Sequence, residues 1–265
     1  MSEIKVLVYI VHYFNPLGVF NGKSKYQEPN TRRQNLLKCI NAVKGLNYDI
    51  EIKICGFGNN YLIPIDVDFS NKIDNPQLIV FEVLANLHQD LDYDFVIVME
   101  DDILINSSSV TAAINFTFRN SINSVYHPHR LEIDNNKNYN SIDIMLLPGK
   151  TGKYISNEGH RLAEFMNPHA AFLLLSKQQV IFASKKVDLK LNYVIFGGYM
   201  ASAFYNYLKP FTLYRDNYLP YYNYNIHLDP IVYQPSWRNK IKRLLVNFLE
   251  TYICEYGKIF GPYTK

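Results

Sequence analysis

The sequence predicts an α/β fold with a mixed, mostly parallel central sheet flanked by helices. Three observations predict it. Apolar, β-rich runs of strand length recur at residues 4–11, 49–55 and 95–99. Helix-periodic segments lie between them, and that β-α-β-α-β order implies parallel strands joined by right-handed crossovers. Third, the run FVIVMEDDILI, residues 95–105, sets Glu100, Asp101 and Asp102 at the carboxyl end of its strand. Open α/β sheets bind ligands outside that edge.

Residues 4–11 form a continuous apolar run, the pattern of a parallel strand buried on both faces. A polar loop over about 14–31 follows, with Gly18, Gly22, Lys23 and Lys25. Thr31 is the expected N-cap of a helix carrying Leu36, Leu37, Ile40 and Val43 at helical spacing. The stretch DIEIKIC, 49–55, alternates as a second strand, and GFGNN at 56–60 closes it. A helix over about 77–91 places Leu78, Phe81, Leu84 and Leu87 on one face. The second half is less regular. Its pattern predicts helices over 110–118 and 200–208, and strands over 142–147 and 170–175, the latter followed by a helix. Residues 205–233 are dense in Tyr and Pro, and 238–257 reads as a C-terminal amphipathic helix with Ile241, Leu244, Leu245 and Phe248 on one face. No repeat or low-complexity linker divides the chain, so a single domain over 1–265 is expected.

Composition narrows the function classes. Apolar content of 48% against 19% charged excludes a disordered chain, and a net charge of +3 gives no ground for nucleic-acid binding. The 22 Tyr and 16 Phe supply flat surfaces that stack on sugars or bases, or simply pack. Cys39, Cys55 and Cys254 form no CxxC or zinc spacing, which suits free thiols in a reducing compartment. The N-terminal run lacks a basic region and cleavage site, and no stretch has membrane-span length, so a cytoplasmic protein is expected.

An unpaired carboxylate inside an apolar strand costs several kcal/mol, roughly, so the triplet needs a cation or a task. The period of two along a strand sets Glu100 and Asp102 on one side and Asp101 on the other. Two same-side carboxylates at a strand end suit Mn²⁺ or Mg²⁺ together with substrate phosphates. The bland alternative is that the acids cap the following turn.

MEDDI after an apolar strand, within a β-α-β-α-β half, resembles the DxD-type motif of GT-A glycosyltransferases, in its EDD form. The resemblance covers roughly residues 4–106. It implies a GT-A-like, Rossmann-like fold. It also implies a nucleotide-sugar donor, a UDP-sugar first among the candidates, and transfer to a glycan or lipid-linked saccharide in bacterial surface polysaccharide synthesis. Residues 1–106 would bind the donor, 107–235 the acceptor, and 236–265 would form the terminal helix and tail. Asp102 becomes the principal metal ligand and Glu100 lies near ribose or metal, with Asp101 beside the cofactor.

The resemblance further points to His12, Tyr13, Asn59 and His88 around the nucleotide, with Asn60 beside Asn59. Lys23, Lys25, Arg32 and Arg33 could meet phosphates or form a solvated basic loop. His227, in NYNIHLDP, is the expected further metal ligand, with His169 as its rival. The stretch VIFGGYMASAF, 194–204, holds no acid where an inverting enzyme of this kind places its base. Glu158 and Glu164 are then the candidate catalytic acids, with Asp216 a third, and retention is slightly favoured over inversion. Residues 237–253 carry Arg238, Lys240, Lys242 and Arg243 beside Trp237, and either pack on the domain or touch the inner membrane face. The same acids would also serve a Mg²⁺-dependent nucleotidyl- or phosphotransferase, and a non-catalytic glycan-binding relative would keep the fold.

Overall fold

The computed structural model describes residues 3–14, 28–89, 91–133, 139–141, 150–157, 159–165, 171–187, 189, 199–216 and 223–228. The expected strand over 142–147, the terminal helix, and Lys23, Lys25, Glu158 and His169 lie outside the described residues.

The first half runs β1 (Lys5–Val11), α1 (Pro29–Lys44), β2 (Asp49–Gly56), β3 (Val67–Asp68), α2 (Ile79–Asn86) and β4 (Phe95–Glu100). Next come β5 (Ile103–Leu104), α3 (Ser107–Arg119), β6 (Ser124–Tyr126), β7 (His129–Ile133) and β8 (Tyr139–Ser141). The chain continues with β9 (Lys150–Asn157), β10 (His160–Phe165), β11 (Phe172–Ser176) and α4 (Lys177–Ser184). It closes, among the described residues, with α5 (Tyr199–Leu208), β12 (Thr212–Asp216) and β13 (Tyr224–His227).

The central sheet has the order β11-β4-β1-β2-β3. The strands β4, β1, β2 and β3 are mutually parallel, and β11 runs antiparallel to β4. This is the mixed, mostly parallel sheet the sequence predicts. Period-two alternation explains its two cores. Leu7, Tyr9, Val96 and Val98 face one side, against α2, α4 and α5 residues such as Leu84, Val180 and Phe204. Val6, Val8, Ile10, Ile97 and Met99 face the other, against Leu36, Ile40, Ile114 and Phe116 of α1 and α3. Fully burying each such aliphatic side chain contributes roughly 1.5–3 kcal/mol. A strand covered on both faces therefore tolerates no polar residue until it ends.

Helix α1 begins earlier than expected. The N-cap is Glu28, whose carboxylate accepts from the Asn30 and Thr31 amides, and Pro29 follows inside the first turn. Proline fixes the first helical φ and lacks the N–H that the cap would otherwise have to satisfy. Thr31 therefore sits within the first turn.

Two smaller sheets complete the fold. One has the order β6-β12-β10-β9, the other β5-β13-β7-β8. The second of these matters most for position. Its β5 follows the acidic triplet directly, and β13 pairs with β5 through Ile103↔His227 and with β7 through His227↔Glu132.

Candidate functional site

Strand β4 ends at Glu100, and Asp101 and Asp102 form the turn that leads to β5. The period of two thus stops one residue into the triplet, and the expected face-sharing of Glu100 and Asp102 does not follow from pleating. The turn instead gives each acid its own surroundings.

Asp101 is buried and held by protein groups. Arg32 of α1 donates from Nη2 to its Oδ1 at 2.9 Å and Oδ2 at 3.2 Å. His12, just beyond β1, lies with Nδ1 2.6 Å from Asp101 Oδ2. The Leu62 amide donates to His12 Nε2 at 2.9 Å, so Nε2 carries the lone pair and Nδ1 the proton given to Asp101. His12 is wholly buried with both ring nitrogens engaged, so its side chain supports Asp101 and has neither ring nitrogen left to offer. Asp101 is likewise turned toward Arg32 and His12.

Asp102 is buried beside His227. His227 Nε2 lies 3.2 Å from Asp102 Oδ2, and its Nδ1 lies 2.9 Å from Glu132 Oε1. The backbone secures this meeting, because the Leu228 amide donates to the Asp102 carbonyl at 2.8 Å. Arg32 Nη1 also reaches Asp102 Oδ2, at 3.4 Å. Asp102 Oδ1 is buried and has no hydrogen-bond partner among the described residues. Asn225 pins β13 to the start of α3, its Oδ1 accepting from Ser109 Oγ at 2.7 Å and the Asn106 amide at 3.2 Å.

The electrostatics follow from this packing. Burial pushes the Glu100 carboxyl up to about 7, aided by the Asp102 charge and opposed by Arg130 and His227. Burial would raise Asp102 too, but His227 and then Arg32 outweigh it and hold that carboxyl well below the usual range. For His227 burial opposes the charge, yet Asp102 and Glu132 prevail and push the imidazole up to about 10. The two carboxylates thus favour an imidazolium that donates one proton to Asp102 and the other to Glu132.

A stability profile follows. Glu100 has a folded value above its ordinary 4.5, so the folded state keeps a proton the unfolded chain loses, and stability falls as pH rises toward 7. The stability His227 adds is complete below its ordinary 6.5 and is lost as pH rises through about 10. Both act in one direction. With a chelator present, the protein should melt at higher temperature near pH ~5 than near pH ~9, and Glu100→Gln should remove the lower part of that decline. A melting temperature that rises between those two values would contradict this assignment.

The other expected residues divide by sheet edge. Tyr13 follows His12, and Asn59 is exposed in the turn after β2; both lie at the carboxyl edge with the acids. The backbone ties these segments together, the Phe14 amide donating to the Asn60 carbonyl at 3.1 Å. His88 is a correction. It is exposed in the short 3-10 turn Leu87–Gln89, beyond the end of α2. A crossover helix returns the chain to the amino end of the next strand, so His88 lies at the edge opposite the acids. Glu164 is half-buried on β10, and Asp216 is buried at the end of β12, both in a separate sheet. Arg130 and Glu132 escaped the sequence reading, although HRLEI places two charges at alternate positions of a short apolar strand.

Among the described residues, no group of three or more His, Cys, Asp or Glu side chains is arranged to hold a metal ion. Glu100 is thus not gathered with Asp102 and His227 into a three-ligand set. The pair itself does suit a hard cation. It offers an orphaned buried carboxylate oxygen and an adjacent imidazole nitrogen, and such ions commonly take few protein ligands beside substrate phosphates. No helix among the described residues is long and apolar enough to cross a membrane.

No family model matches the chain, and no curated protein matches it. Among solved structures it is similar to a provisionally assigned nucleotide-diphospho-sugar transferase from Desulfovibrio desulfuricans G20. The identity is 10%, the match covers 95% of this chain and 97% of that one, and the TM-score is 0.43.

Proposed function

We propose that this chain is a glycosyltransferase. It would move a sugar from a nucleotide donor, a UDP-sugar first among the candidates, to a hydroxyl of a glycan or lipid-linked saccharide. Asp102 and His227 would hold Mn²⁺ or Mg²⁺. The observation that carries this reading is their meeting at the carboxyl edge of the central sheet, with Asp102 Oδ1 buried and unpartnered among the described residues. The EDD motif in its strand context supports the same reading.

A bound divalent cation supplies Lewis-acid neutralisation of the diphosphate leaving group. The protein's own groups do the rest. Glu132 accepts the His227 Nδ1 proton and so orients the ring with Nε2 toward Asp102. Arg32 and His12 fix Asp101, which stiffens the turn that presents Asp102. Tyr13 and Asn59, at the same edge, are proposed to meet the base or ribose, and Glu100 the ribose. Retention is the finer reading, because 194–204 carries no acid to serve as base; Asp216 and Glu164 are the acids to test for inversion.

The test is a screen of sugar nucleotides for Mn²⁺-dependent donor hydrolysis. Release of nucleoside diphosphate from at least one donor is expected. Release of pyrophosphate or inorganic phosphate instead would favour a nucleotidyl- or phosphotransferase and overturn the proposal.

A further inference from the structure

A cleft of about 360 Å³ opens between the first half of α3 and the sheet containing β10 and β12. Its lining shares no residue with the acid edge. Ser108, Thr111 and Asn115 come from one face of α3, and Asn157, Asn223 and Asp216 from the other side. Tyr126 and Leu162 add apolar surface. Among the described lining residues there is no lysine or arginine; the imidazole of His160 interacts with the Asp216 carboxylate, whose own charge disfavours a phosphate. Hydroxyl and carboxamide groups both donate and accept, and a carboxylate accepts twice over; this is the complement of a neutral polyhydroxylated molecule.

We infer that this cleft is a saccharide-binding subsite that takes a neutral sugar unit of the acceptor. Asp216 is its fixed centre. Its Oδ2 accepts from Tyr126 Oη at 2.9 Å and from the Asn223 amide at 3.1 Å. Burial raises its carboxyl above the ordinary range, the Tyr126 and Asn223 hydrogen bonds working against that rise. The cleft is also tethered to the acid edge. His129 Nε2 donates to the Asp216 carbonyl at 2.8 Å, and three residues further along β7 Glu132 contacts His227. The assignment to an acceptor rests on the transferase reading; saccharide binding itself does not.

Isotope-labelled protein titrated with glucose, galactose, mannose and N-acetylglucosamine tests this by amide shifts. At least one sugar should move the Ser108, Thr111 and Asn115 amides with a millimolar dissociation constant, and should still do so with UDP, GDP and CMP present. Ser108→Trp, at an exposed position, should weaken that binding at least ~10-fold and leave nucleotide binding unchanged. Asp216→Asn, nearly isosteric, should weaken it as well. No shift with any of the four sugars would overturn the inference. So would shifts confined to the Asp102–His227 edge, or shifts abolished by nucleotide, which would mark the donor's sugar. Saccharide binding without any nucleotide binding would leave the cleft standing and remove the transferase reading.

Discussion

Asp102→Asn should lower metal-dependent donor turnover by a factor on the order of 10²–10³ while the protein stays folded. Asparagine keeps the shape of the side chain and one carbonyl oxygen. That oxygen can still accept the His227 and Arg32 protons that now reach Oδ2. What disappears is the negative charge and the second anionic oxygen, the one buried without a partner among the described residues. If that oxygen exists to meet a cation on the donor diphosphate, its loss should be felt in turnover far more than in folding. The substitution also removes a charge that helps raise Glu100, so the Glu100 carboxyl should titrate lower. Donor hydrolysis and a thermal melt on the same preparation check both halves. Turnover within a few-fold of the parent protein would contradict the role given to Asp102.

Asp101→Ala should have the opposite signature, a large loss of stability. Removing one partner of a buried ion pair leaves the others uncompensated, which costs about 3–5 kcal/mol. Here Arg32 would lose both of its contacts to Asp101, and the fully buried His12 would lose the acceptor of its Nδ1–H. The lower end of that range is expected, because Arg32 is partly solvated and can relax outward. Asp101→Asn should be milder, since it still accepts from His12. Urea denaturation reads the difference as a lower midpoint at unchanged slope. A midpoint within experimental error of the parent for Asp101→Ala would show that the His12–Asp101–Arg32 cluster is not structural.

These contrasting outcomes bear on how much the sequence revealed. The strands β1, β2 and β4 were legible because strands of a covered parallel sheet must be apolar in runs, and that same order located the carboxyl edge. Strand β11 was legible as a run but not in direction, since nothing in FLLLS distinguishes antiparallel from parallel pairing with β4. The triplet was visible, but the shared face expected for Glu100 and Asp102 does not follow, because pleating was extended across Asp101 and Asp102 where the chain turns. His227 was singled out through the resemblance, with no local pattern to place it. Its actual setting depends on β5 and β13, short strands whose pairing is nonlocal and leaves no periodic trace. His88 failed for a topological reason: proximity in sequence to the motif strand places a residue at that strand's start, not at its end.

The central claim is that Asp102 and His227 together bind a divalent cation and a nucleoside diphosphate. Calorimetric titration of UDP, GDP and CMP, each with and without Mn²⁺, addresses it most directly, with His227→Ala run in parallel. The account predicts that at least one nucleotide binds only when Mn²⁺ is present, and that His227→Ala abolishes that binding. Failure of all three nucleotides to bind in the presence of Mn²⁺, or binding that ignores both the metal and the substitution, would contradict it.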